Sequence, residues 1–88
     1  MNDWISSLPI EKVEAWLDKH GEKAMTEHGV KDKYFAMWLT VLDSHCRRRT
    51  YMSYRDLEDW MYYDAYDGGM SPKEACMDML EYNGYEVE

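Results

Sequence analysis

Three features of this 88-residue chain predict a small all-α bundle of four main helices, with room for a fifth short one. Apolar residues recur at three- and four-residue intervals along most of its length. Helix-capping signals stand between those runs. No alternating apolar–polar stretch competes as a strand. There is no linker, repeat or low-complexity tract, so residues 1–88 read as one acidic helical domain, small enough to bury only a little more than about 60% of its unfolded surface.

In the first element, Ser6 or Ser7 caps a helix with Pro9 in its opening turn, and Gly21 ends it. Ile10, Val13, Leu17 and His20 fall on one face with Trp16 at its edge, and Glu11, Glu14 and Asp18 fall opposite. Residues 22–28 allow the short fifth helix before Gly29. The strongest pattern runs from Asp32 to Cys46: Phe35, Trp38, Leu39, Leu42 and Cys46 form a stripe widened by Tyr34 and Val41, the expected centre of the core, with Arg47, Arg48 and Arg49 after it. Ser53-Tyr-Arg-Asp56 resembles a capping box and is expected to open a helix running to about Tyr66 and stopping at Gly68-Gly69. Ser71-Pro72-Lys73-Glu74 is a fuller one, with Pro at the first helical position. The helix it opens buries Ala75, Cys76, Met79 and Leu80 and ends at Asn83-Gly84, leaving YEVE as a tail.

Charge is segregated along the chain. Residues 1–50 carry 8 acids and 8 Lys+Arg, whereas residues 51–88 carry 10 acids against Arg55 and Lys73, which accounts for the net charge of −8. Seven of the eight tyrosines lie in that second half. On a continuous helix over 54–67, Tyr54, Leu57, Met61 and Ala65 face the core, while Asp56, Asp59, Trp60, Tyr63, Asp64 and Asp67 gather on the opposite flank. Glu74, Asp78 and Glu81 make a second acidic row on the last helix. With so few cations to balance them, these carboxylates repel one another, a cost that a merely solubilising surface avoids by mixing signs. Tyr and Trp beside carboxylates suit a basic protein surface, the aromatics as anchors and the charges as steering. These nine residues form the expected partner-binding face.

The expected function is that of a small interaction module that inhibits or modulates a basic, nucleic-acid-binding partner. It would do so as a nucleic-acid mimic or anti-defence inhibitor of anti-CRISPR-like type encoded by a phage or mobile element. The alternative is a non-mimic adaptor or antitoxin-like regulatory subunit docking through Trp60, Tyr63 and exposed Met. Net charge opposes direct nucleic-acid binding. The Arg47–Arg49 run is read as cations complementing a helix C-terminus, free to pair with the acidic half.

Other chemistry finds little support. His20, His28, His45, Cys46 and Cys76 lack metal-ligand spacing, and DAYDGGMSPKEA fails as a calcium loop because Tyr63 and Ala65, or Tyr66 and Ala75, fall where oxygen ligands are required. No phosphate loop, nucleophile elbow or metalloprotease motif is present, so no enzyme, no cofactor and no metal are expected. The absence of a long apolar run and of a signal-peptide pattern predicts a cytoplasmic protein without a membrane span, its two cysteines reduced and buried.

Overall fold

The best-patterned segment is the axis of the molecule. In the computed structural model, which describes residues 2–57 and 59–85, six α-helices run in order: α1 (Asp3–Ser6), α2 (Ile10–Trp16), α3 (Glu22–His28), α4 (Lys33–Thr50), α5 (Tyr62–Asp67) and α6 (Pro72–Tyr82). A π-helical turn, Leu17–Gly21, joins α2 to α3, and a 3-10 turn, Tyr54–Asp56, precedes α5. Among the described residues there is no strand.

Asp32 starts α4 by accepting the Tyr34 and Phe35 amides at 2.9 and 3.3 Å. The expected stripe of Phe35, Trp38, Leu39, Leu42 and Cys46 is buried throughout, joined by Ala36 and Met37. The helix does not stop at Cys46. Arg47, Arg48 and Arg49 continue it to Thr50, as good helix formers do when no cap intervenes, and Tyr51 ends it in the left-handed conformation at φ 62°,.

Against α4 lies α6, opened by the full capping box: Ser71 Oγ accepts the Glu74 amide, and the Glu74 carboxylate accepts the Ser71 amide. Ala75, Cys76, Met79 and Leu80 are buried, and the helix stops at Asn83 with Gly84 at φ 86°. The Trp38 indole donates to the Met70 carbonyl at 2.8 Å, which fixes where α6 begins on α4. Cys46 and Cys76 are free buried thiols with their sulfurs 3.6 Å apart, and the Cys76 hydrogen bond together with burial pushes the Cys46 thiol up.

Three expectations are corrected. The helix expected to open around Pro9 is not capped by Ser6 or Ser7: Pro9 itself stands at the N-cap of α2 with no side-chain cap, Ser7 Oγ donates back to Trp4 O, and a one-turn α1 capped by Asn2 precedes it. Nor does Gly21 end a helix. It is buried at φ −58°, ψ −47°, and the chain continues helically to Gly29, which stops it at φ 67°. A helical Gly costs only about 1 kcal/mol relative to Ala, so residue type alone does not stop a helix. The wider π-turn breaks the expected 3.6-residue phase, so Val13 and Leu17 reach the core while His20 stays exposed; Ile10 is 58% exposed and Trp16 half-buried.

The third correction concerns residues 53–67. Ser53 opens only a three-residue 3-10 turn, Leu57 turns extended at φ −97°, ψ 172°, and helix resumes at Tyr62 for six residues. The reason lies in α4. Asp43 accepts the Ser53 hydroxyl at 2.6 Å, the Tyr54 amide at 3.1 Å and the Arg47 guanidinium at 2.8 Å, and so binds the turn across the helix. Burial opposes the Asp43 charge, but these donors outweigh it and hold its carboxyl below the usual range,. Tyr54 is buried as expected and its hydroxyl lies 2.7 Å from His28 Nδ1. Thr40 donates its proton to the Ala36 carbonyl, so it accepts from His28 Nε2–H, and Nδ1 then accepts from Tyr54,. Burial and Arg55 hold His28 below its ordinary pKa.

Candidate functional site: an acidic tyrosine cleft

Breaking the expected 54–67 helix also breaks the expected acidic flank. Asp56 ends the 3-10 turn and Asp59 lies in the non-helical link, both exposed but on no common helix face with Asp64 and Asp67. Trp60 leaves the acidic set: it is half-buried against the core and edge-on to Tyr62 at 5.5 Å. Met61, expected inside, is 63% exposed because it lies in the link before α5 rather than on a core-facing stripe. Glu74, Asp78 and Glu81 are exposed on α6, but the Glu74 carboxylate is engaged by Ser71. Asp78 and Glu81 flank Tyr82 around a shallow depression. The Glu86–Glu88 part of the expected tail lies outside the described residues.

What the fold brings together instead is a cleft of about 350 Å³ lined by Asn2, Asp32, Tyr34, Tyr63, Tyr66 and Asp67. Tyr63 and Asp67 belong to the expected face; Tyr66 stands beside them on α5, and Asn2, Asp32 and Tyr34 come from elsewhere in the chain. Asp32 and Tyr34 arrive with the start of α4, where capping and core periodicity are the visible signals. Tyr66 falls on neither face of the expected helix, and no sequence signal joins Asn2 to residues 66–70.

Each wall has a local cause. Asn2 is buried, with Nδ2 donating to the Tyr66 and Met70 carbonyls at 2.7 and 3.0 Å and Oδ1 accepting the Trp4 and Ile5 amides. Tyr66 is only 6% exposed, its ring set against Phe35 at 4.9 Å and Trp38 at 5.8 Å. Tyr63, 56% exposed, stands edge-on to Phe35 at 5.3 Å and 6.0 Å from Tyr66. Such edge-to-face and tilted pairs add about 0.5–1.5 kcal/mol each beyond burial, so the rings are held rather than free. Burial, then the Asp32 carboxylate, then Tyr63 and Asp67 push the Tyr66 phenol up to about 12,.

The wider charge pattern agrees. The ion pairs among the described residues are Arg47–Asp43 at 2.8 Å and Arg55–Glu27 at 3.6 Å. Both take their carboxylate from residues 1–50, so no described carboxylate between Asp56 and Glu81 has a cation within pairing distance. Among the described residues the arginine run forms no ion pair with the acidic half: Arg47 pairs within α4, and Arg49 donates to the His45 carbonyl at 3.4 Å. Burial and Arg49 hold His45 below its ordinary pKa, and its Nδ1 is buried without a hydrogen-bond partner.

Among the described residues, no three His, Cys, Asp or Glu side chains gather to hold a metal. Nor is any helix there long and apolar enough to cross a membrane. No protein-family model matches the chain. No solved structure matches it either. It is similar, at 39% identity over 42 residues, to the Gene 87 protein of Mycobacterium phage L5, a match spanning 48% of this chain and 79% of that protein. The Gene 87 protein of Mycobacterium phage D29 matches at the same 39% over 42 residues, 78% of its length. At that identity and coverage the chain belongs to the same family as these mycobacteriophage Gene 87 proteins.

Proposed function

We propose that this is a phage-encoded protein that works in the host cytoplasm by docking its α5–α6 side on a basic, nucleic-acid-binding protein and inhibiting or modulating it. One observation carries the reading: between Asp56 and Glu81 every described carboxylate lacks a cation within pairing distance, while the acids that are paired lie in the neutral half. Like charges left unbalanced on one side cost stability, and an opposing basic surface removes that cost on binding. The specific form proposed is nucleic-acid mimicry in an anti-defence role of anti-CRISPR type, with carboxylates standing where phosphates would lie. The family's phage members are consistent with that setting.

The protein acts here as a binder, not an enzyme. His28 has both ring nitrogens engaged in structural bonds, and the tyrosine cleft offers rings and carboxylates without a partnered nucleophile. A second reading, the adaptor, is favoured by the exposure of Met61, Tyr63 and Tyr82. Salt separates the two. Tagged protein should capture a nucleic-acid-binding partner at low ionic strength, release it steeply as salt rises, and compete with nucleic acid for it. Salt-resistant capture without such competition would favour the adaptor. Replacing Asp59, Asp64 and Asp67 together by Asn should abolish the capture; undiminished capture would sink the mimic.

A further inference from the structure

The cleft beside α5 has a more specific chemistry than a diffuse acidic surface. We propose that it receives one arginine side chain of the basic partner, an inference that rests on the docking reading above. Asp32 and Asp67 supply two carboxylates that no described cation pairs, and Tyr34, Tyr63 and Tyr66 supply three rings around the same space. The space, about 350 Å³, lies at the small end of the roughly 300–1,000 Å³ of ligand pockets, fit for one side chain rather than a folded element,.

An independent observation points to a ligand in it. Tyr66 lines the cleft and is more than nine-tenths buried, yet its hydroxyl has no hydrogen-bond partner among the described residues. A partner that covered the cleft without bonding this hydroxyl would strand it at a cost of about 1–3 kcal/mol, so the site favours one that brings a hydrogen-bonding group. The cleft excludes anions from the same inventory. The Asn2 amide donors, its one fixed donor pair, are fully engaged with the Tyr66 and Met70 carbonyls. What remains is two carboxylates, which repel an anion, beside phenol hydroxyls and ring faces,.

Ring face and carboxylate together select a cation. Lys33 already holds its ammonium 5.6 Å from the centroid of Tyr34, so a ring at this rim accepts one,. Among cations, a guanidinium fits these parts best. It is planar and stacks on tyrosine, it forks onto a carboxylate, and it is more weakly hydrated than an ammonium, whereas lysine offers a compact point charge. In the bound state its plane lies along Tyr63, its fork meets Asp67, and one N–H reaches the Tyr66 hydroxyl.

The test uses the whole protein and small probes. N-acetyl-arginine methylamide, titrated while amide and tyrosine-ring signals are followed by NMR, should shift residues 32–34, 63 and 66–67 and leave the α2–α3 surface unmoved. The citrulline analogue, of the same shape without the charge, should bind at least about tenfold more weakly, and the lysine analogue should fall between them. Asp67→Asn, an exposed change, should weaken arginine binding by about tenfold or more, as loss of one charge-assisted pair does. Tyr66→Phe, which keeps the ring and its packing, should weaken it less but measurably. Equal binding of citrulline, stronger binding of lysine, or shifts spread over all acidic surfaces would overturn the inference. So would the absence of any saturable shift. Salt-sensitive capture of a nucleic-acid-binding partner that survives Asp67→Asn would then leave the docking reading standing with a different anchor. Loss of that salt dependence in the unmutated protein would remove the reading itself.

Discussion

Two serines introduce two helices in this chain's sequence, and only one of the helices forms. Ser71-Pro-Lys-Glu74 opens an eleven-residue helix with both halves of the capping box made. Ser53-Tyr-Arg-Asp56 opens three residues of 3-10 turn and then extended chain. Glu74 is one methylene longer than Asp56 and reaches its serine's amide; Pro72 presets the backbone angle of the first helical residue. The larger difference is in what else each serine does. Ser71 bonds within its own box, at 3.0 and 3.2 Å to Glu74. Ser53 caps Arg55 while donating to Asp43 on α4, which also takes the amide of Tyr54. A cap signal therefore starts a helix only where tertiary partners leave the next turn free to propagate.

The heaviest blow to this difference is Asp43→Ala. It strands the Ser53 hydroxyl and the Tyr54 amide at once, and should cost about 3 kcal/mol in urea unfolding. Hydrogen exchange should quicken first at residues 53–57 while α6 stays protected; uniform loss across both regions would show that Asp43 holds more than the turn. Acid should act the same way. His28 sits below its unfolded pKa, so its contribution is complete above about 6.5 and is lost as pH falls through the lower folded value,. Asp43, also depressed, titrates in a lower window, its contribution present above about 3.9 and lost beneath it,. Both groups grip residues 53–54, so a mildly acidic titration should loosen that turn before α6, and His28→Gln should remove the upper step.

Ser71→Ala should cost about 1 kcal/mol, read as a lower urea midpoint with fraying confined to the start of α6. The smallest change is the most discriminating. Asp56→Glu completes the capping-box sequence around Ser53, yet it should move stability by under about 0.5 kcal/mol and add no helical circular dichroism, because the serine hydroxyl is engaged by Asp43. A gain in helicity would mean that side-chain length, not the tether, keeps residues 57–61 extended.

Much of the architecture is legible because α4 and α6 are long, strongly periodic and cleanly capped. Their stripes, from Phe35 to Cys46 and from Ala75 to Leu80, are buried as expected in the observed core. Gly21 misleads because residue type alone carries no backbone angle: Gly29 and Gly21 look alike in sequence, and only the first takes positive φ. The 54–67 pattern misleads because an apolar period cannot register a hydrogen bond to Asp43. Of the expected docking residues, Tyr63 and Asp67 reach the cleft. Asn2, Asp32, Tyr34 and Tyr66 lie beyond the sequence's reach because three separate elements must meet to make them neighbours.

The Asn2 clasp has a consequence for the order in which the molecule can be completed. Its two donors bind carbonyls at Tyr66 and Met70, 64 and 68 positions along the chain. During synthesis α1 is therefore made long before the partners that seat it. Until residues 66–70 clear the ribosome, Ile5 has no finished core to enter, and the nascent chain carries open apolar surface through most of its translation,. Seating α1 should therefore be a late, long-range step, and replacing Asn2 should slow it.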